Sequence, residues 1–246
     1  MQTTFSKSWS TPFAQERAFW DGFDPDYLFE FASRLSHIGT YELGFRPSGS
    51  QAGHRAAELI LAEMRALGLQ DVHKEPFPVY AWDFAGASLE LDGWDSLPAA
   101  SFPPAPGTPP EGLATLLVDA GYGTAHDYLG LDVRDKIAFV RFDTHRLPWI
   151  DVLAHEAELH GTCALVFYYL NGYAQHMSGE ALNTHDGGAR PTIPILQLCQ
   201  RDGVHVAERL AAGGPLQATL HSHVKANPEG TGHNIVGKIP GRLADR

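Results

Sequence analysis

The most informative part of the sequence is the stretch Thr231-Gly-His-Asn-Ile-Val-Gly-Lys-Ile-Pro-Gly241. Its apolar residues lie between glycines and precede a Pro-Gly turn signal, which predicts a buried β-strand over residues 234–239. A buried strand needs neighbours on both sides. Because the sequence ends at Arg246, we expect this strand to belong to a larger sheet whose remaining strands are supplied elsewhere.

The composition is that of a folded chain with an acidic surface. Of the 246 residues, 43% are hydrophobic and 19% are charged, enough for one large or two ordinary cores. The 18 basic and 29 acidic residues give a net charge of −11, which argues against nucleic acid or a membrane as partner. No apolar run approaches the roughly 18 residues of a membrane span, and no signal peptide is visible, so we expect a cytoplasmic protein.

Hydrophobic periodicity predicts an alternation of helices and strands. Helices are predicted over residues 24–35, 50–67, 149–160 and 202–212. Strands are predicted over residues 71–84, 87–91, 113–119, 136–142, 163–170, 193–199 and 216–224, besides the terminal strand. Pro76 and Pro78 indicate that the first strand lies at a sheet edge. The segments without a period are a Pro-rich loop over residues 93–112, a polar loop over 171–190 and a linker over 225–232.

The order of these elements predicts a domain interrupted by an insertion. Residues 1–82 form helices and a first strand, and residues 228–246 return to the same domain as a re-entry strand. Residues 83–227 lie between them as a mixed insertion. We therefore expect an α/β protein in which a partial α/β domain carries an inserted α+β domain, built on a β-sandwich or an open barrel.

Several segments resemble the dizinc exopeptidase family, which contains the bacterial leucyl aminopeptidases, glutamate carboxypeptidase II and the transferrin receptor. The opening of that family is similar to Gly44-Phe-Arg-Pro-Ser-Gly-Ser50 and Asp71-Val-His-Lys-Glu-Pro-Phe77, with an alanine-rich helix between them. Its protease-associated domain is similar to Tyr128-Leu-Gly-Leu-Asp-Val-Arg-Asp-Lys-Ile-Ala-Phe-Val140 and Gly161-Thr-Cys-Ala-Leu-Val166. The stretch 232–241 resembles the strand on which the family's chain re-enters its peptidase domain.

This resemblance implies one half of a zinc metallopeptidase. In the intact family enzyme two zinc ions bridged by water act with a glutamate base to cleave an N-terminal residue or a related amide. The family's ligands follow the re-entry strand, so the resemblance implies no catalytic, cofactor-binding or metal-ligating residue in this chain. The inserted domain would be an active-site lid that contacts substrate or a second copy. The expected partners are a peptide substrate or a C-terminal catalytic half.

The chain has 13 histidines, and some are spaced in ways that merit a metal hypothesis. His155 and His160 lie five apart on a predicted helix, which separates them by about 140° and argues for a solvated face. His221 and His223 share one face of a strand, where a zinc site would need added acids. His185 with the following aspartate lies in the polar loop and is more typical of a turn.

Two thiols and two serines have structural interpretations that we prefer. Cys163 and Cys199 lie in apolar runs and are predicted to be reduced core thiols, with a disulfide as the alternative. Ser48 and Ser50 lack a nucleophile elbow, and either Ser48 with Gln51 or Ser50 alone is predicted to cap the second helix. Arg46 beside that cap could instead form a salt bridge with the missing half of the domain.

The alternative hypothesis is a non-catalytic protein- or peptide-binding module. It would use an exposed patch formed by Trp82, Trp94, Phe102 and Trp149 together with the Pro-rich loop. The competing interpretation is that these aromatic side chains cover a small core.

Overall fold

The computed structural model describes residues 20–39, 44–147, 149–170, 179–182 and 190–241. The chain divides into two compact units, residues 1–37 and residues 38–246. The first unit contains α1 (Pro25–Ser36), and the second contains α2 (Gln51–Ala66), α3 (Ile150–Leu159) and α4 (Gln200–Gly213). The strands of the second unit are β1 (Gln70–Leu91), β2 (Leu97–Ser101), β3 (Leu113–Asp119), β4 (Ile137–Phe142), β5 (Ala164–Tyr169), β6 (Ile195–Leu198) and β7 (Leu216–Lys238).

Helix α1 begins where the sequence predicts. The Asp24 carboxylate accepts hydrogen bonds from the backbone N–H groups of Asp26 and Tyr27, at 3.1 and 3.0 Å, which caps the helix. None of the α1 side chains is buried, and Leu28 on the predicted apolar stripe is 46% exposed. Across the described residues, no helix is both long enough and apolar enough to cross a membrane.

The strands of the second unit form a closed barrel, in the order β1-β2-β6-β5-β4-β3-β7. Strands β3, β4, β5 and β6 run parallel to their neighbours in that block, and the remaining pairs are antiparallel. The mixed α/β class is as predicted. The expected sandwich or open barrel is wrong, because the two end strands β1 and β7 pair with each other and close the sheet.

The parallel strands bury both of their faces, which explains their unbroken apolar sequences. Along β4, Ile137 and Phe139 belong to one core, which also takes side chains from α4. Ala138 and Val140 belong to a second core, which takes side chains from α3. Each strand of the block therefore separates two packed layers, and α3 and α4 pack on opposite faces of the block.

Two segments that lacked a strand pattern are strands in the structure. The predicted linker over residues 225–232 lies inside β7, and the Pro-rich loop contains β2. Both β1 and β7 are long, at 22 and 23 residues, and register shifts between Val79 and Ala81 and between Phe84 and Ala87 accommodate their irregular sequences. The expected domain boundaries at 82/83 and 227/228 fall within these two strands and remain a prediction.

Candidate functional site

Beyond the barrel, β1 and β7 continue as a two-stranded ribbon, which we define as residues 70–84 paired with residues 224–238. Helix α2 packs against both strands of the ribbon. Close approach requires small residues on both sides. Ala56 and Ala57 are buried on the helix, and a Cβ at Gly237 would lie 2.8 Å from the Met64 Cε. Helix α2 and the ribbon therefore pack directly against each other.

The start of α2 is held by the buried Ser50. Its Oγ accepts a hydrogen bond from the Gly53 N–H at 2.9 Å, as the sequence predicts for this cap. Ser48 is exposed and is not the cap. Arg46 donates to the Ile38 carbonyl at 3.3 Å, so this side chain braces the segment before the helix.

Replacing Ser50 with alanine is expected to lower the unfolding free energy by about 1–2 kcal/mol, because the partly buried Gly53 N–H loses its acceptor. Urea denaturation of the two proteins measures the difference. The control is Ser36→Ala, at an exposed serine whose hydroxyl only donates to the Ser33 carbonyl. Equal effects of the two substitutions would contradict the capping role.

Two polar pairs connect α2 to the ribbon. The Lys74 ammonium donates to the Glu58 carboxylate, and this hydrogen bond is the main cause of the lowered pKa of Glu58. The His54 ring meets the His233 ring edge to face, with centroids 5.2 Å apart. The buried Nδ1 of His233 has no hydrogen-bond partner among the described residues. The sequence offered no signal for either pair, because helix and strands meet only in the fold.

The pair of Glu58 and Lys74 makes a pH prediction. A lowered pKa means that the carboxylate stabilises the folded state above its unfolded value, ordinarily 4.5, and that this contribution is lost as the pH falls through the folded value. Urea midpoints of the wild type and Lys74→Gln should therefore differ at about pH 7 and converge near about pH 3. Because Glu58 is solvent-exposed, we expect the difference to be small and reduced by salt. A difference that persists in acid would contradict this assignment.

A further ion pair closes the far end of the ribbon. The Lys238 ammonium donates to the Asp71 carboxylate, which lowers the pKa of Asp71 and raises the pKa of Lys238. His73 hydrogen-bonds the Asp71 carbonyl at 2.7 Å, and this contact is the main cause of its raised pKa. An ion pair therefore connects β1 and β7 at the position where their regular pairing ends.

Where the ribbon meets the barrel, its side chains become aromatic and buried. Trp82 stacks on Phe84 with ring centroids 5.7 Å apart and meets Phe45 edge to face at 5.4 Å. On the outside of this junction the Arg190 guanidinium lies 4.7 Å from the centroid of the Tyr80 ring. Arg190 is the last residue of the predicted polar loop, so the end of that loop lies against the base of the ribbon.

The exposed aromatic patch of the alternative hypothesis does not form. Trp82 and Phe102 are 1% and 2% exposed and belong to different cores. Trp94 packs against the first core, with Arg209 above its ring at 5.7 Å. Trp149 is 51% exposed. Most of these side chains therefore cover one of the two cores and do not form a single binding face.

The histidine hypotheses find little support in the structure. His160 stacks on Tyr128 with ring centroids 4.6 Å apart, and His155 is exposed. His221 and His223 share a face, as predicted, and the nearest carboxylate to His221 is that of Glu90 at 3.7 Å. His185 lies outside the described residues. Across the described ranges, no cluster of three or more His, Cys, Asp or Glu side chains could hold a metal ion.

The two cysteines are free thiols. Cys199 is buried at the start of α4, and Cys163 is half-buried before β5. Burial raises the pKa of both thiols. Raised thiol pKa values keep sulfur protonated and unreactive, as expected for the predicted core thiols.

The fold is similar to solved peptidase structures. A zinc aminopeptidase from Bacillus subtilis aligns at 26% identity with a TM-score of 0.64, over 90% of this chain and 48% of its own. An aminopeptidase from Aneurinibacillus sp. strain AM-1 aligns at 19% identity with a TM-score of 0.61, over 90% and 49% of the two chains. A peptidase precursor from Shewanella amazonensis aligns at 18% identity with a TM-score of 0.63, over 84% and 49%.

These matches concern the structure rather than the sequence. No family model and no curated protein matches the sequence. The chain spans about half the length of the solved structures that it matches. In the aligned part, this chain has the α/β fold found in zinc aminopeptidases.

Proposed function

We propose that this chain is one half of a zinc-dependent exopeptidase. It would supply the ribbon and α2 of the peptidase domain together with an inserted protease-associated barrel, while the metal-binding residues belong to the half of the enzyme that this chain does not cover. The observation that carries this proposal is the extent of the structural match: 90% of the chain aligns with about half of each of two aminopeptidases.

We propose further that the barrel acts as a lid and substrate contact. The barrel is joined to the ribbon through β1 and β7, whose pairing shifts register at Val79/Ala81 and Phe84/Ala87 near the junction. The stacking of Arg190 on Tyr80 supports a role for the polar loop at this junction. The reaction to which the lid contributes would be hydrolysis of a peptide near its terminus, with zinc bound by the catalytic half.

The alternative of a non-catalytic binding module depended on an exposed aromatic patch. Because Trp82 and Phe102 are buried, no observation on the described residues favours that function over the peptidase half.

The first test is elemental analysis of the purified chain for zinc, with hydrolysis of leucine p-nitroanilide measured on the same sample. We expect neither stoichiometric zinc nor turnover from residues 1–246 alone, and both when the half of the enzyme that these residues do not cover is also present. The zinc aminopeptidase from Bacillus subtilis is the positive control.

Zinc and turnover in the chain alone would overturn the proposed function. In that case the double variant His221→Ala/His223→Ala would show whether these neighbouring histidines hold the metal, since their rings lie 6.3 Å apart on one face of β7. A complementing polypeptide that binds this chain without zinc would also contradict the peptidase assignment.

A further inference from the structure

On the side of the barrel that α3 covers, two segments of the chain enclose a small cavity. Residues 128–134, which lie between β3 and β4, form one wall, and Leu159 and His160 at the end of α3 form the other. We call this space the Arg134 cavity. Its volume is about 360 Å³, at the lower end of the range of about 300–1,000 Å³ that is typical of small-molecule sites. It therefore has room for a group of the size of an amino-acid residue.

The floor of the cavity is formed by the chain itself. The Tyr128 ring is 2% exposed and stacks on the His160 ring, with centroids 4.6 Å apart and planes 10° apart. Behind this stack, the N–H groups of Gly161 and Thr162 donate to carbonyls in the last turn of α3, at 3.0 and 3.1 Å. These contacts hold both walls in place, so a ligand meets a surface that is already assembled.

Two leucines of the lining are largely exposed. Leu129 is 71% exposed and Leu159 is 64% exposed, one on each wall of the cavity. Single exposed leucines are common on protein surfaces and need no explanation. Two of them on one small cavity form an apolar surface that a ligand would cover, which is how exposed apolar groups mark a binding site. The cavity therefore suits a ligand with an apolar branch.

Arg134 adds a guanidinium that lacks a partner within the described residues. It forms no ion pair or hydrogen bond there and lies over no aromatic ring. Every other described arginine makes at least one such contact. The Arg134 side chain lies on Gly161, where a Cβ would be 3.1 Å from its Nη1. A guanidinium supported in this way and free of an acceptor suits a carboxylate.

The acidic groups near the cavity do not cancel this charge. Asp132 is the carboxylate in the described lining, and the Lys136 ammonium donates to it at 2.6 Å. The Glu156 carboxylate faces the His160 Nε2 at 3.9 Å. Arg134 is thus a surplus positive charge at an apolar cavity, on a chain whose net charge is −11. This local charge favours an anionic ligand.

We propose that the Arg134 cavity binds the free carboxyl end of a peptide whose last residue has a branched apolar side chain. The guanidinium binds the carboxylate through two parallel hydrogen bonds, and the side chain lies between Leu129 and Leu159. Only the last residue of a peptide carries a carboxylate and an apolar branch together, as a cavity of this size requires. The inference deepens the proposed function and rests on it, because the barrel then selects peptide substrates by their carboxyl end.

The test is a titration of residues 1–246 that follows the backbone amide signals by NMR. The probe is the peptide acetyl-Gly-Gly-Leu, and its carboxamide is the matched control that lacks only the negative charge. We expect the acid to bind at least about tenfold more tightly than the amide, because the amide cannot accept the charged pair of hydrogen bonds. The amide signals that shift should be those of residues 128–134, 159 and 160.

Substitutions separate the two halves of the recognition. Arg134→Gln should weaken binding of the acid by about tenfold and leave binding of the amide unchanged. Arg55→Gln is the control, since the Arg55 guanidinium donates to the Gly39 carbonyl elsewhere on the chain, and it should change neither. Leu129→Ala should weaken both peptides by about threefold to tenfold, because it removes apolar surface from the cavity.

Three outcomes would overturn the inference: equal binding of acid and amide, undiminished binding by Arg134→Gln, or shifts confined to other residues. Octanoate is the remaining probe, because it has the charge and an apolar chain but no peptide group. Octanoate that binds as tightly as the peptide would assign the cavity to aliphatic acids and overturn the inference as well. None of these measurements involves zinc or turnover, so each leaves the proposed function to its own test.

Discussion

Replacing Trp82 with alanine is expected to reduce the unfolding free energy by about 3–5 kcal/mol. The side chain is 1% exposed, and its indole N–H donates to the Ala105 carbonyl at 2.9 Å. Phe45 and Phe84 both pack against the indole. The substitution would therefore leave a cavity between aromatic rings and a buried carbonyl without its donor.

Urea denaturation followed by circular dichroism measures this loss. Trp82→Phe keeps most of the volume and removes only the hydrogen bond, so it should cost about 1–3 kcal/mol. Leu129→Ala is the surface control, since Leu129 is 71% exposed, and it should change stability by less than about 0.5 kcal/mol. A Trp82→Ala protein as stable as the Leu129→Ala protein would show that this residue does not organise the junction of ribbon and barrel.

Replacing Gly203 with alanine is expected to cost about 3 kcal/mol. Gly203 is buried in the first turn of α4, and a Cβ there would lie 2.3 Å from the Cγ of Tyr168 on β5. That distance is shorter than any stable carbon contact, so helix and strand would have to separate. Tyr168 cannot yield easily, because it is 2% exposed in the core.

The same substitution at the other end of α4 should have the opposite effect. A Cβ at Gly213 would meet nothing within 4 Å, so Gly213→Ala should stabilise the protein by about 0.4–1 kcal/mol through the entropy of the unfolded chain. Thermal or urea denaturation of both variants tests the pair. Destabilisation of similar size at both positions would show that the contact with Tyr168 does not determine the outcome.

The sequence predicts local elements of this fold better than it predicts their assembly. The Asp24 and Ser50 caps begin α1 and α2 where expected, because a cap depends on neighbours within one turn. The apolar runs of β4 and β5 likewise identify buried strands. In contrast, β2 contains Pro98 and small residues, and only its pairing with β1 and β6 makes it a strand.

In the candidate site, too, the sequence predicts the local features but not how distant segments come together. Pro76 and Pro78 indicate an edge strand from sequence alone, because a missing N–H has the same meaning in every sheet. That these prolines lie opposite His233 and Thr231 depends on the register of the ribbon, and the sequence does not contain this register. The contact of His54 with His233 is invisible for the same reason, since distant segments meet only after the ribbon forms.

The pairing of Phe84 with Val224 has a consequence for how such a protein can change in evolution. The segment of residues 85–223 therefore begins and ends at neighbouring positions on two paired strands. A deletion of residues 85–223 could therefore be closed by a short turn while the register of the remaining ribbon stays the same. The residues that form the barrel could thus be removed or exchanged in evolution without a change in the register of the ribbon that carries them.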